Sequence, residues 1–156
     1  MNSDLIELLQ LLNEYKVNYL IIGGQAVILY SEPRYTKDLD IWIEPTKANA
    51  KKVLAVLEKF GAPKRSVSVE DLSTPGTVFI FGIEPNRVDL ITKVKGATFQ
   101  RCYKARIKID LSGVAAKFVS LRDLIRIKKA TARPQDRLDV EKLERSLRTQ
   151  KKVRKQ

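Results

Sequence analysis

Between Asp38 and Glu44 the chain reads Asp-Leu-Asp-Ile-Trp-Ile-Glu, and Pro45 closes the run. Successive side chains of a β-strand point to opposite faces, so this alternation predicts a half-buried strand whose Leu39, Ile41 and Ile43 turn towards a core. Asp38 and Asp40 then share the other face, with Cα atoms about 6.6 Å apart. That spacing lets two carboxylates share or bridge metal ions, and it also suits a plain water-facing surface. Either way the strand has to sit in a sheet whose apolar face is covered by another layer.

The flanking segments alternate between helical and extended patterns. Asp4–Tyr15 places Leu5, Leu8, Leu9 and Leu12 at helical spacing, with Ser3 or Asp4 as N-cap. Asn18–Ile22 reads as a short apolar strand, Gln25–Tyr30 as a helix, and Ser31–Lys37, which contains Pro33, as a loop. Thr46 caps a helix to Phe60 that stops at Gly61. Lys64–Pro75 is polar and irregular, with room for a short strand over Ser66–Val69. Thr77–Ile83 and Arg87–Thr92 form strands joined by a tight turn at Glu84-Pro85-Asn86. Tyr103–Leu111 alternates and pairs with Val114–Val119 through Ser112-Gly113. Ser120–Thr131 is a capped helix, and Pro134 begins another that runs to about Leu147. This order predicts an α/β (α+β) fold: a mixed β-sheet with helices packed chiefly on one face and a C-terminal helix pair. We expect one domain over residues 1–147 and a basic, disordered tail over 148–156.

Composition removes several chemistries. The chain has no histidine and a single cysteine, Cys102. That excludes Ser-His-Asp hydrolysis, HExxH zinc peptidases, histidine acid–base catalysis and an ordinary structural zinc site. Reaction chemistry must rest on carboxylates, Lys, Arg and metal ions, and a hard, oxygen-liganded cation such as Mg²⁺ stays open. Cys102 lacks the histidine that a nucleophilic thiol works with, and an unpaired cysteine suits a reducing cytoplasm. The longest apolar stretch, Tyr19–Tyr30, is broken by Gly23-Gly24-Gln25 and is too short to span a bilayer. The first residues carry no secretory signal pattern, so a cytoplasmic protein without membrane association is expected. Residues 120–156 hold 13 of the 30 Lys and Arg but only 5 of the 18 acidic residues. Such a basic end suits a polyanionic partner, nucleotide or nucleic acid, and suits a solvated helix equally well.

The residues that carry chemistry cluster in Leu20–Pro45. A strand delivers Gly23-Gly24 to the start of a helix, where phosphate oxygens can approach backbone N–H groups at the positive helix end. A simple tight turn needs the same two glycines. Asp89 alternates against Val88 and Leu90 and joins Asp38 and Asp40 if the two strands are neighbours. Three such carboxylates repel one another unless cations offset them. Two metal ions in that setting would activate an attacking hydroxyl and steady a leaving pyrophosphate. Arg34 and Lys37 flank the pair and either neutralise triphosphate charge or form surface ion pairs. Trp42 and Tyr35 suit base stacking or packing.

The pattern Gly23-Gly24-x-Ala26, then Pro33-Arg34-x-Thr36-x-Asp38-Leu39-Asp40, resembles the signature of the nucleotidyltransferase superfamily. That superfamily includes DNA polymerase β, minimal nucleotidyltransferases and AbiEii-like toxin proteins. A second stretch, Lys128-Lys129-Ala130-x-x-Arg133-Pro134-x-Asp136-x-x-Asp139-x-x-x-Leu143, resembles the helix pair of AbiEii-like members, with Gln135 where they usually carry Lys. The resemblance covers roughly residues 5 to 147. It implies a Mg²⁺-dependent enzyme, with two ions, that moves a nucleoside monophosphate from NTP to a hydroxyl. It further implies Asp38, Asp40 and Asp89 as catalytic metal ligands, Gly23 and Gly24 in the nucleotide site, and Lys128 and Arg133 reaching the nucleotide. As acceptors it suggests tRNA or other RNA, a partner protein or a small molecule, in toxin–antitoxin-like systems. Asp136 and Asp139 either contact substrate or serve the helix, by capping it or pairing with Arg133 and Arg137. A non-catalytic nucleotide- or RNA-binding scaffold of the same fold is the alternative.

Overall fold

The computed structural model describes residues 1–155, leaving aside the side chains at position 64 and over 152–155. The strands are β1 (Tyr19–Ile22), β2 (Asp38–Ile43), β3 (Val78–Phe81), β4 (Arg87–Ile91), β5 (Ile107–Leu111) and β6 (Val114–Phe118). The helices are α1 (Ser3–Glu14), α2 (Gly23–Tyr30), α3 (Lys47–Phe60), α4 (Val69–Ser73), α5 (Phe99–Lys104), α6 (Leu121–Thr131) and α7 (Pro134–Lys155). One sheet runs in the order β3-β4-β2-β1-β6-β5, which sets the alternating strand β2 near its centre. β2 lies antiparallel to β1 and parallel to β4, while β1 lies parallel to β6, so the sheet is mixed as the sequence predicts.

The two-residue period decides which face each side chain takes. Leu39, Ile41 and Ile43 on β2 stand beside Ile21 and Tyr19 on β1 and Val88 and Leu90 on β4, and all are fully or nearly fully buried. Leu5, Leu8, Leu9 and Leu12 of α1 and Val53, Val56 and Leu57 of α3 belong to the same core. Each such aliphatic side chain contributes about 1.5–3 kcal/mol by leaving water. Asn2 caps α1 through Leu5 N–H, one residue before the predicted Ser3 or Asp4. Thr46 caps α3 and Gly61 ends it in the left-handed region, as its sequence indicates.

Four local readings need correction. Ser66–Val69 is not a strand: a short 3₁₀ turn spans Lys64–Ser66, and Ser68 and Asp71 form a reciprocal capping box that starts α4. Tyr103 and Lys104 end α5 rather than beginning a strand, and extended backbone starts only at Ile107. α2 begins at Gly23, two residues before Gln25. α7 continues past Leu147 to Lys155 rather than ending there. Leu147 marks where core contact ends, because residues 148–151 are exposed. Gln156, the last residue of the predicted tail, lies outside the described residues. No helix among those described is long and apolar enough to cross a membrane.

An ion network locks α6 to α7 and to the loop before β2. Lys128, itself nearly buried, places its Nζ 3.2 Å from both Asp136 Oδ1 and Asp139 Oδ2. Arg133 donates to Asp136 at 2.9 Å, and Arg34 donates to Asp139 at 2.5 Å from 105 residues away in sequence. Both aspartates are almost wholly buried, so each is tolerated only because a cation meets it. Burial alone would raise the pKa of Asp136, but hydrogen bonds from Arg133, Thr131 and Lys128 outweigh it and hold the carboxyl well below its ordinary value. A depressed carboxylate stabilises the fold above its unfolded pKa of about 4 and loses that contribution as pH falls below it. Asp136→Asn is therefore expected to cost about 3 kcal/mol at neutral pH. In urea denaturation the gap from wild type should narrow as the solution is acidified. A gap that stays constant into acid would contradict this assignment.

Candidate active site

β2 and β4 run parallel with Asp40 beside Asp89 and Asp38 beside Arg87. Neighbours in register share a face of the sheet, so these four side chains form a square of three carboxylates and one guanidinium. Carboxylate oxygens of Asp38, Asp40 and Asp89 all lie within 4.8 Å of one another. Asp89 is buried and the other two are half-buried. The expectation that the two strands are neighbours, with Asp89 turned to the same face, is met in the backbone register itself.

The electrostatics of the square are unfavourable in themselves. Burial, then repulsion from Asp38 and Asp89, raises the Asp40 carboxyl to a pKa of about 7, against the opposing pull of Lys128 and Arg87. Burial and Asp89 likewise raise Asp38, with Arg87 and Lys37 opposing. Arg87 grips Asp89 with a two-pronged fork, Nε to Oδ1 at 2.9 Å and Nη2 to Oδ2 at 3.0 Å. Three oxygen donors with surplus negative charge, part withdrawn from water, are the ligand set that a hard divalent cation fits.

Gly23 and Gly24 hold this geometry in place. Gly23 has φ +69°, and a Cβ built there would stand 2.0 Å from Asp40 Oδ2. Its missing side chain is thus the space that the second carboxylate occupies. A Cβ at Gly24 would meet Thr36 Cγ2 at 2.5 Å, so the loop before β2 packs directly on the first turn of α2. Gln25 donates to Thr36 at 3.1 Å and Arg34 ties the same loop to α7. The motif Gly-Gly-Gln…Arg-x-Thr-x-Asp-x-Asp is one packed unit. No side chain at Ile22 caps α2, and phosphate oxygens are groups that such a helix start binds.

A cleft of about 220 Å³ opens beside Asp40 and is lined in part by Gly23, Lys93, Lys95, Lys128 and Arg133. Lys128 and Arg133 therefore reach the cleft, although Asp136 and Asp139 already engage Lys128, and Asp136 engages Arg133. Asp136 and Asp139 pair with Lys128, Arg133 and Arg34 rather than with Arg137, and Asp136 also lines the cleft. Arg34 sits at the base of the loop in its ion pair, while Lys37 is exposed and acts on Asp38 only through its charge. Trp42 is fully buried, edge-on to Phe99 at 5.3 Å, which removes it as a base platform. Tyr35 remains 72% exposed and donates its hydroxyl to Glu84. Sequence reading missed Arg87, Lys93 and Lys95. Extending the two-residue period of β4 from Asp89 in both directions finds the first two. A larger cleft of about 510 Å³ between α7, α6 and β5 has no acidic residue among the described residues that line it.

The fold has solved counterparts. The lincosamide antibiotic adenylyltransferase LnuA, bound to lincomycin, superposes with a TM-score of 0.56 at 15% identity, over 92% of this chain and 96% of that one. ANT(2")-Ia in complex with adenylyl-2"-tobramycin gives 0.58 at 14% identity, over 94% and 89%. An antigenic nucleotidyltransferase-like protein from Paracoccidioides brasiliensis gives 0.57 at 20% identity, over 96% and 78%. At these identities the likeness is one of fold. No curated protein sequence matches the chain. A family model does match, over residues 3–150, and the chain belongs to that family, described as nucleotidyltransferase of unknown function (DUF6036).

Proposed function

We propose that this nucleotidyltransferase is a metal-dependent cytoplasmic enzyme that transfers a nucleoside monophosphate from NTP to an acceptor hydroxyl. The observation that carries the reading is the convergence of Asp38, Asp40 and Asp89 within 4.8 Å on one sheet face. Those three residues would hold two Mg²⁺ ions, which when bound lower the pKa of the attacking hydroxyl and neutralise charge on the pyrophosphate that leaves. The chain's own groups do the rest. Gly23 leaves room for Asp40, and the uncapped start of α2 accepts phosphate oxygens on backbone N–H groups. Lys93, Lys95 and Arg133 line the cleft with positive charge that suits a triphosphate. The acceptor is a hydroxyl on RNA, on a partner protein or on a small molecule. The basic α6–α7 end supports an RNA, the two antibiotic-modifying neighbours support a small molecule, and a toxin–antitoxin setting fits either macromolecule.

Purified protein incubated with each labelled NTP, Mg²⁺ and total tRNA should place label on RNA or protein, and chelation of the metal should abolish it. Asp38→Asn and Asp40→Asn should each lower transfer at least about 100-fold, since a bound metal supplies several kcal/mol of transition-state stabilisation. Without divalent metal, Asp40→Asn should melt at or above the wild-type temperature. The substitution relieves the burial and repulsion that push this carboxyl up to about 7. Mg²⁺-NTP should raise the melting temperature of wild type and much less that of either variant. A wild type indifferent to Mg²⁺-NTP, or variants as active as wild type, would favour the non-catalytic scaffold.

Gly23→Ala supplies an independent check. The new Cβ needs the space of Asp40 Oδ2 and a φ of +69°, a conformation that costs a non-glycine residue about 1–3 kcal/mol. The variant should fold with a lowered melting temperature and lose Mg²⁺-NTP stabilisation. Retention of that stabilisation would mean that Gly23 does not position Asp40.

A further inference from the structure

The square on the sheet face contains one cation, and its hold on the site is unusually complete. Arg87 engages both oxygens of Asp89, at 2.9 and 3.0 Å, and no other ion pair found among the described residues involves Asp38, Asp40 or Asp89. The nearby cations differ in this respect. Lys128 is held by Asp136 and Asp139, Arg133 by Asp136 and Arg34 by Asp139, all on α7 and outside the carboxylate cluster. Among the described residues only Arg87 forms an ion pair with a member of the cluster itself. Its side chain is 34% exposed against 12% for Asp89, so the arginine is the more exposed partner of the pair and the carboxylate the more buried one.

We propose that Arg87 links metal binding to nucleotide binding by competing with the metal for Asp89. A planar guanidinium matches both oxygens of a carboxylate and matches two oxygens of a phosphate equally well. A divalent cation that uses Asp89 takes an oxygen from Arg87 and brings a second positive charge close to it. The arginine then needs another anion, and the triphosphate is the one that the reaction supplies. Metal and nucleotide therefore favour each other's binding, beyond their own mutual affinity, because each removes a cost the other faces. Arg87 acts here as a positioning residue. The inference rests on the metal-dependent reading above.

Mn²⁺ titration followed by electron paramagnetic resonance tests it, with and without inorganic tripolyphosphate, so that base preference plays no part. Arg87→Gln should bind Mn²⁺ alone about tenfold more tightly than wild type, the scale of one charge-assisted hydrogen-bonded pair. The factor by which tripolyphosphate tightens Mn²⁺ binding should shrink to a similar extent. Arg87→Lys keeps the charge without the fork and should gain less, but measurably. Lys37→Gln removes a charge near Asp38 without touching Asp89 and should gain least. An Arg87→Gln variant that binds Mn²⁺ no better than wild type, or a Lys37→Gln variant that gains as much, would overturn the competition. If Mn²⁺ binds wild type and Asp40→Asn abolishes it, that failure concerns Arg87 alone. If no variant binds Mn²⁺ even with tripolyphosphate, the metal reading falls with it.

Discussion

Three carboxylates whose oxygens lie within 4.8 Å of one another repel, and the sheet leaves them no other direction to point. The parallel pairing of β2 with β4 sets Asp40 against Asp89, and the period of two sets Asp38 on the same face. The apolar residues between them, Leu39, Ile41, Val88 and Leu90, are fixed in the core, so rotating either strand to separate the charges would expose that set to water. Hydrophobic burial on one face thus maintains electrostatic tension on the other. Much of the remaining architecture accommodates that tension.

The accommodation is specific. Gly23 yields the volume that Asp40 needs, Arg87 neutralises Asp89, and Lys128 opposes the rise in the Asp40 pKa through its charge while serving as the centre of the α6–α7 network. That network in turn holds Arg34, and Arg34 holds the loop that delivers Asp38. A chain of contacts therefore runs from the C-terminal helices through the loop to the carboxylates. The two motifs that stand about a hundred residues apart in sequence meet as one support. The stretch around Lys128 is therefore a structural clamp.

Much of this was legible in the sequence, and what was not has identifiable causes. The alternation of Asp38–Glu44 and the Gly23-Gly24 turn are local patterns, and they fix one strand face and one helix start. Neighbouring of β2 and β4 is a long-range fact that alternation permits but cannot dictate. The ion pair of Arg34 with Asp139, 105 residues away, has no local trace at all. The Ser68–Asp71 capping box was present in the sequence, but polar surroundings hid so short a helix as irregular chain. Tyr103 and Lys104 share the alternating pattern of β5 yet end α5, because a period of two over so few residues does not distinguish a helix end from a strand start. Trp42 shows the limit of face assignment: it shares the carboxylate face but is buried under Phe99.

The central claim is that Asp38, Asp40 and Asp89 together hold divalent metal against a triphosphate. Crystals grown with Mn²⁺ and a nucleotide carrying a non-hydrolysable α,β bridge allow the metal to be located by its anomalous scattering. The account predicts anomalous peaks bonded to oxygens of all three aspartates and to phosphate oxygens in the cleft lined by Lys93, Lys95 and Arg133. Mn²⁺ found only on the nucleotide or elsewhere on the surface, with Arg87 and Asp89 still paired, would contradict it.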